Sequence, residues 1–333
     1  MKRLTHYQAC LVLLASMGVN MGAIAQAHSQ AHSAVAPPVQ AQKTDPINHL
    51  LDRANLHPLD QPAAAANKDS SLGDRALQEG IAFIRQGNVV AAIAAFKQAT
   101  ELDSTSATAY YNLGLALRQD HQLQAAASAF WQATQTNSSF ALAYVNLGAV
   151  LLEGNNLAQA EAYLDQALAL DPTSGIAQYN MGLLQRQKGN PTAALEAFSQ
   201  AIIYTPAAPE PHYHAGVIYQ ELGQQNLAKQ AFEAAIALDA NYPEARYSLG
   251  VTLVRLGHSE AAIAQFTRAL EILPTFAHAY YAKGLALAEL ERYSEAKATM
   301  QLAVNAYIAE GNSHWAAVAQ RQITYLETVQ TSS

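Results

Sequence analysis

One spacing constrains this chain more than any other feature: a glycine recurs every 34 residues, seven times in succession. Two alanine series keep the same period, the first twelve residues after each glycine and the second seven residues later. This periodicity predicts one structural repeat copied seven times, each copy too small to bury its apolar face without its neighbours. The glycines of the series are Gly80, Gly114, Gly148, Gly182, Gly216, Gly250 and Gly284.

Each repeat carries two helical stripes when its positions are numbered from Gly73. In most repeats apolar or small residues fall at positions 4, 7, 8 and 11 and again at 20, 24 and 27, which is the spacing of one helix face. The exceptions include Gln178, His212 and Arg246 at position 4 and Glu79 and Lys283 at position 7. Glycine at position 15 predicts a left-handed end to the first helix, and proline at position 32 ends the second. A helical hairpin is therefore predicted for each repeat. The residues concerned are Gly87, Gly189, Gly223 and Gly257 at position 15, and Pro172, Pro206 and Pro274 at position 32.

These repeats resemble the tetratricopeptide repeat (TPR) in both period and residue types. The second repeat matches well, with Tyr110-x-x-Leu113-Gly114 followed by Ala126, Phe130 and Ala133. The resemblance extends over residues 73–310. It implies an all-α fold, a right-handed superhelical α-solenoid of stacked helix-turn-helix repeats.

A capping helix is predicted over residues 311–333. Ser313 can cap its start, and Trp315 begins an apolar stripe that continues to Leu326. Such a helix would cover the exposed end of the last repeat, so Trp315 is expected in its core.

The first residues are typical of a secretory signal peptide. Two basic residues precede an apolar run (residues 9–16), and small residues follow at Ala23 and Ala25. Residues 1–25 are therefore predicted to be cleaved; an uncleaved membrane anchor is the alternative. Residues 26–72, rich in Ala, Gln and Pro, are predicted to form a flexible arm, in which residues 46–54 can form a short helix.

The resemblance also implies where a ligand would bind. In this family the first helices line the concave face, chiefly through positions 2, 5, 9, 12 and 13. The chain would then present a ladder of tyrosines beside an aliphatic strip, although tyrosine at position 5 can equally pack against neighbouring helices. The predicted groove residues are Tyr111, Tyr179, Tyr213, Tyr247 and Tyr281 at position 5, Leu115, Leu183, Val217, Val251 and Leu285 at position 9, and Arg118, Arg186 and Arg255 at positions 12 and 13.

Composition and motifs argue against several classes of function. A formal charge of −7 does not suit a general nucleic-acid binder, which needs a basic face. A single cysteine cannot form an internal disulfide or a multi-cysteine zinc site. Phosphate-binding loops, paired metal-binding histidines and nucleophile elbows are lacking, so no enzyme activity, metal or cofactor is predicted. His212 and His214 lie two residues apart, which places them on different faces of one helix.

The sequence thus predicts a non-enzymatic, exported scaffold that binds a protein or peptide in its concave groove. Its compartment would be the periplasm or another part of the envelope if the source is bacterial. After signal cleavage it would not be an integral membrane protein, and no nucleic-acid partner is expected. The alternative is a periplasmic accessory of polysaccharide synthesis or export.

Overall fold

The computed structural model describes residues 71–332 as fifteen α-helices, and no strand occurs in that range. The predicted signal peptide and nearly all of the predicted arm lie outside the described residues. The helices are α1 Leu72–Arg85, α2 Val89–Leu102, α3 Ala107–Gln119, α4 Leu123–Thr136, α5 Ala141–Glu153, α6 Leu157–Leu170, α7 Gly175–Gln187, α8 Pro191–Tyr204, α9 Glu210–Glu221, α10 Gln225–Leu238, α11 Pro243–Arg255, α12 Ser259–Ile272, α13 Ala277–Glu289, α14 Tyr293–Ala309 and α15 Ser313–Ser332.

The first helix begins one residue before the predicted start of the repeats. Ser71 caps it, because its hydroxyl accepts a hydrogen bond from the backbone of Asp74 at 3.1 Å and the Asp74 side chain bonds back to Ser71. This reciprocal pair satisfies two backbone donors that a helix start leaves free. Ser106 and Ser174 cap α3 and α7 in a simpler way, each accepting one backbone hydrogen bond.

Consecutive helices pair into the predicted hairpins, α1 with α2, α3 with α4, α5 with α6, α7 with α8, α9 with α10 and α13 with α14. In the sixth repeat Gly250 of α11 lies against Phe266 of α12. The two helices of a hairpin approach closely because position 8 is glycine and position 24 is large. In the fourth repeat a Cβ added to Gly182 would lie 2.5 Å from Cε1 of Phe198, and the Phe198 ring is fully buried. The ring therefore takes the space that a side chain at position 8 would need.

The described chain divides into two compact units, residues 71–245 and residues 246–332, with the division inside α11. In the first unit the second helix of a hairpin also packs on the first helix of the next, α2 on α3, α4 on α5, α6 on α7 and α8 on α9. The second unit repeats this arrangement where α12 packs on α13. Both are therefore all-α helical repeat solenoids. None of the described helices combines the length and the apolar character needed to cross a membrane.

The turn between the two helices of a hairpin is left-handed at position 15 in every repeat. Glycine occupies this position in four repeats, with φ from +72° to +78°. In the other three repeats His121, Asn155 and Glu291 hold the same conformation, with φ between +58° and +60°. A Cβ at Gly87 or Gly223 would meet nothing within 4 Å. Glycine therefore suits this turn because it adopts a positive φ easily, not because a side chain would clash.

Replacing Glu291 with glycine should raise the free energy of unfolding by about 0.5–1 kcal/mol. The left-handed conformation costs an ordinary residue about 1–2 kcal/mol, and the greater freedom of glycine in the unfolded chain offsets part of the gain. Asn155→Gly should gain less, because asparagine tolerates this conformation better. Urea titrations of the two variants would compare them, and a larger gain for Asn155→Gly would contradict the explanation.

The last helix closes the second unit as predicted for a capping helix. Trp315 contacts Tyr307 and Tyr281, with ring centroids 6.1 and 5.9 Å apart. The prediction that Ser313 caps the helix is wrong. Asn312 does so instead, and its side-chain oxygen accepts from the Trp315 backbone at 3.3 Å.

Candidate binding groove

The five predicted groove tyrosines are all buried. Tyr111 and Tyr179 are fully enclosed in the first compact unit, where Tyr213 is almost so. Tyr247 and Tyr281 are buried in the second. Burial raises the pKa of the Tyr111 phenol, although the charge of Arg118 and a hydrogen bond from Asn146 oppose it.

Aromatic contacts explain this burial. Tyr111 lies against Phe130 at position 24 and Phe140 at position 34 of its own repeat, with ring centroids 5.6 and 4.9 Å apart. Three-ring packing recurs around Tyr213 and around Tyr247. These rings therefore form part of the core, and their predicted role in binding a ligand stays a prediction.

The aliphatic positions divide into buried and partly accessible ones. Val217 and Val251 are buried, whereas Leu115, Leu183 and Leu285 keep part of their surface accessible. In the first unit the accessible members are thus two leucines separated by two repeats. They are the apolar side chains of the predicted strip that a ligand could contact there.

The predicted arginines differ widely in exposure. Arg118 is buried, Arg186 is half-buried and Arg255 is exposed. The first two do not stand free as ligand cations, because each forms an ion pair with a glutamate 35 residues later in the next repeat.

These two ion pairs join neighbouring repeats. Arg118 Nε donates to Glu153 Oε1 at 3.0 Å, and its terminal nitrogen contacts the same oxygen. Arg186 donates to Glu221 Oε1 at 2.7 Å. Only 3% of the Arg118 side chain is exposed, compared with 30% for Arg186. The first pair therefore resists screening by solvent more than the second.

The two arginines occupy equivalent positions because they belong to a short motif that occurs twice, two repeats apart. The sequence Tyr-Asn-x-Gly-Leu-x-x-Arg-Gln occurs at residues 111–119 and again at 179–187. Its last residues, Gln119 and Gln187, are exposed. The prediction of groove residues missed these glutamines and the ion pairs, although the 35-residue Arg-to-Glu spacing was a readable signal.

The two neighbouring histidines have different surroundings. Burial lowers the pKa of His212, which is half-buried. His214 packs among aromatic rings, and its Nδ1 is buried. Within residues 71–332, no three His, Cys, Asp or Glu side chains are grouped as metal ligands would be.

The stacked hairpins and the accessible first-helix positions define a helical repeat protein. Two sequence models of the tetratricopeptide repeat match the chain, one at residues 80–120 and 218–257 and the other at 119–175, 145–211 and 247–312. The chain belongs to the tetratricopeptide repeat family. A comparison with curated proteins gave no match.

Several solved structures share the fold. One chain of the APC/C hetero-tetramer Cut9–Hcn1 is 19% identical to this chain with a TM-score of 0.59, and the match covers 72% of this chain and 44% of that one. PilW, a type IV pilus biogenesis factor, is 20% identical with a TM-score of 0.57, and the match covers 62% of this chain and 95% of PilW. A tetratricopeptide repeat protein from Parabacteroides merdae is 16% identical with a TM-score of 0.56, and the match covers 77% of this chain and 98% of that protein. At these identities the likeness concerns the fold alone.

Proposed function

We propose that this protein is a non-enzymatic, exported scaffold that binds a protein or peptide partner on the face formed by its first helices. The observation that carries the proposal is the duplicated motif in the first compact unit, which leaves Leu115 and Leu183 partly accessible and Gln119 and Gln187 exposed. A carboxamide both donates and accepts hydrogen bonds, as a peptide group requires. The signal-like start of the chain supports export.

Rigid presentation supports the same function. Stacked hairpins with buried tyrosines and ion pairs between repeats hold the surface in one arrangement before a partner arrives. Little ordering entropy is then lost on the receptor side, which favours binding of an extended segment. Arg118, Arg186 and the buried tyrosines would contribute by positioning the face rather than by offering free charges or free rings.

The test is capture of partners from an envelope fraction by the full-length protein and by a Leu115→Gln/Leu183→Gln variant. Each lost apolar contact is worth about 1 kcal/mol, so affinity for a captured partner should fall roughly tenfold or more. The matched control is Leu102→Gln/Ile203→Gln, which changes two exposed side chains on second helices. Circular dichroism must first show that both variants fold.

The control variant should retain the affinity of the parent protein. Equal loss in both variants, or no loss in either, would contradict binding on the first-helix face. Alanine substitution of the buried tyrosines would be a poorer test, because it removes core packing. The polysaccharide alternative stays a prediction, and binding of a soluble glycan in place of any protein would favour it.

A further inference from the structure

His214 lies at position 6 of the fifth repeat, on α9, surrounded by aromatic rings from two repeats. Its ring centroid is 5.6 Å from that of Tyr179 and 5.8 Å from that of Phe198, with the Phe198 ring nearly parallel. Tyr213 meets it edge-on at 5.1 Å. Nδ1 is buried and has no hydrogen-bond partner among the described residues. His214 thus occupies the joint between the fourth and fifth repeats.

The joint between the second and third repeats has asparagine at the equivalent place, 68 residues earlier. Asn146 Nδ2 donates to the Tyr111 hydroxyl at 3.0 Å and to the Leu142 carbonyl at 3.0 Å. Both hydrogen bonds persist at any moderately acidic pH, because an amide does not titrate there. An Arg–Glu pair spans each of the two joints at the same positions. The chain therefore contains two joints built on one plan, one with asparagine and one with histidine.

Titratable and charged groups lie on the helix of His214 and on the helices packed against it. From α7 come Tyr179 and the guanidinium of Arg186, and α8 contributes the uncharged Phe198 ring. On α9 itself, Tyr213 touches the imidazole, and the carboxylate of Glu210, buried near Tyr242, lies one turn earlier. The charged residues Lys229 and Glu233 of α10 form an ion pair with each other.

Protonation of His214 is unfavourable in this setting. An imidazolium carries an N–H on both ring nitrogens, so Nδ1 would become a buried donor without an acceptor. Burial, and then the nearby positive charge of Arg186, lower the pKa of His214 to about 3. An exposed histidine titrates near pH 6.5. An opened joint would therefore bind a proton that the closed joint excludes.

The sign of the pH effect follows from this difference. Above pH 6.5 His214 is neutral in both states and the closed joint bears no penalty. As pH falls below 6.5, the opened state gains a proton first, and the equilibrium shifts towards opening by about tenfold per pH unit until roughly pH 3.

We infer that the joint between the fourth and fifth repeats is an acid-sensitive contact, at which protonation of His214 separates α9 from α7 and α8. The joint between the second and third repeats lacks this response because Asn146 replaces the histidine. In a repeat protein, stability is roughly a sum of repeat and interface terms, so one weakened interface opens locally. The inference does not depend on the proposed function.

Hydrogen exchange of the full-length protein at pH 7 and pH 5, followed by mass spectrometry and corrected for intrinsic exchange rates, tests the inference. Amides of α7, α8 and α9 should show an opening constant about 25-fold larger at pH 5, as expected for an open-state pKa of 6.5. His214→Asn introduces the residue that the third repeat has at this position, Asn146, and should remove most of this increase. The amides of α3 to α5 should change little in either protein.

His212→Gln is the matched control, because His212 lies two residues away and is also partly buried. This variant should keep most of the acid-induced opening, although burial also lowers the pKa of His212. An equal pH response in the parent and in His214→Asn would overturn the inference. So would an NMR titration showing that His214 of the folded protein protonates near pH 6.5. Should His214→Asn fold poorly, that titration alone decides the question.

Discussion

Replacing Phe198 with alanine should lower the free energy of unfolding by about 3–5 kcal/mol. The ring is fully buried and lies against Gly182, Tyr179 and His214, so its removal leaves a cavity where the hairpin helices cross. Glycine at position 182 cannot fill that cavity, and a helix shift would disturb the contacts to the next repeat. Urea titration followed by far-ultraviolet circular dichroism measures the change.

The matched control is Phe198→Leu. The third repeat already has leucine at this position, where Leu164 lies 2.7 Å from the place of a Cβ on Gly148. Leucine fills most of the space, so this variant should lose roughly 1.5 kcal/mol or less. Similar losses for Phe198→Ala and Phe198→Leu would show that the ring does not fill the helix crossing as described.

The second large effect is expected at the ion pair between the second and third repeats. Glu153→Gln should cost about 1.5–3 kcal/mol, because it removes the negative charge facing a guanidinium that is almost fully buried, although the amide oxygen can still accept a hydrogen bond. Glu221→Gln neutralises the equivalent partner of Arg186, which is partly exposed, and should cost about 0–1 kcal/mol. The two substitutions are chemically identical, whereas the pairs differ in the burial of the arginine and in the number of its nitrogens that contact the glutamate, two for Arg118 and one for Arg186.

Thermal or urea unfolding of both variants, at low and high salt, provides the comparison. The loss in Glu153→Gln should persist at high salt, whereas any loss in Glu221→Gln should shrink as salt screens the exposed pair. Equal losses at both positions would mean that burial of Arg118 does not strengthen its pair.

Much of the fold could be predicted because a few residues in every repeat mark where its helices lie and where they turn. Glycine at position 8, the large residue at position 24 and the turn at position 15 are local signals, and the observed hairpins follow them. The same turn conformation at His121 and Glu291 carries no glycine signal, although both residues fall at position 15 of the repeat. The packing of the flanking helices holds these residues in a backbone conformation that they would not adopt alone.

The groove was harder to predict than the fold. The periodicity places Tyr111 and Tyr179 on the first-helix face but does not say how much of each ring stays accessible. That depends on the aromatic residue at position 34 and on position 6 of the following repeat, as Phe140 and His214 show. The ion pairs of Arg118 and Arg186 were missed for a related reason, because each joins two residues 35 positions apart in neighbouring repeats.

The architecture could be predicted from the chain alone, because a 34-residue period with fixed small and large positions indicates helical hairpins, and a single hairpin cannot bury its own apolar stripe without stacked neighbours. Which side chains of the predicted groove remain accessible, and which join one repeat to the next, became visible only in the packed repeats. The physical reason is that helix formation and hairpin packing depend on spacing along the chain. Exposure and ion pairing depend on which side chains of neighbouring repeats meet, as Glu153 meets Arg118.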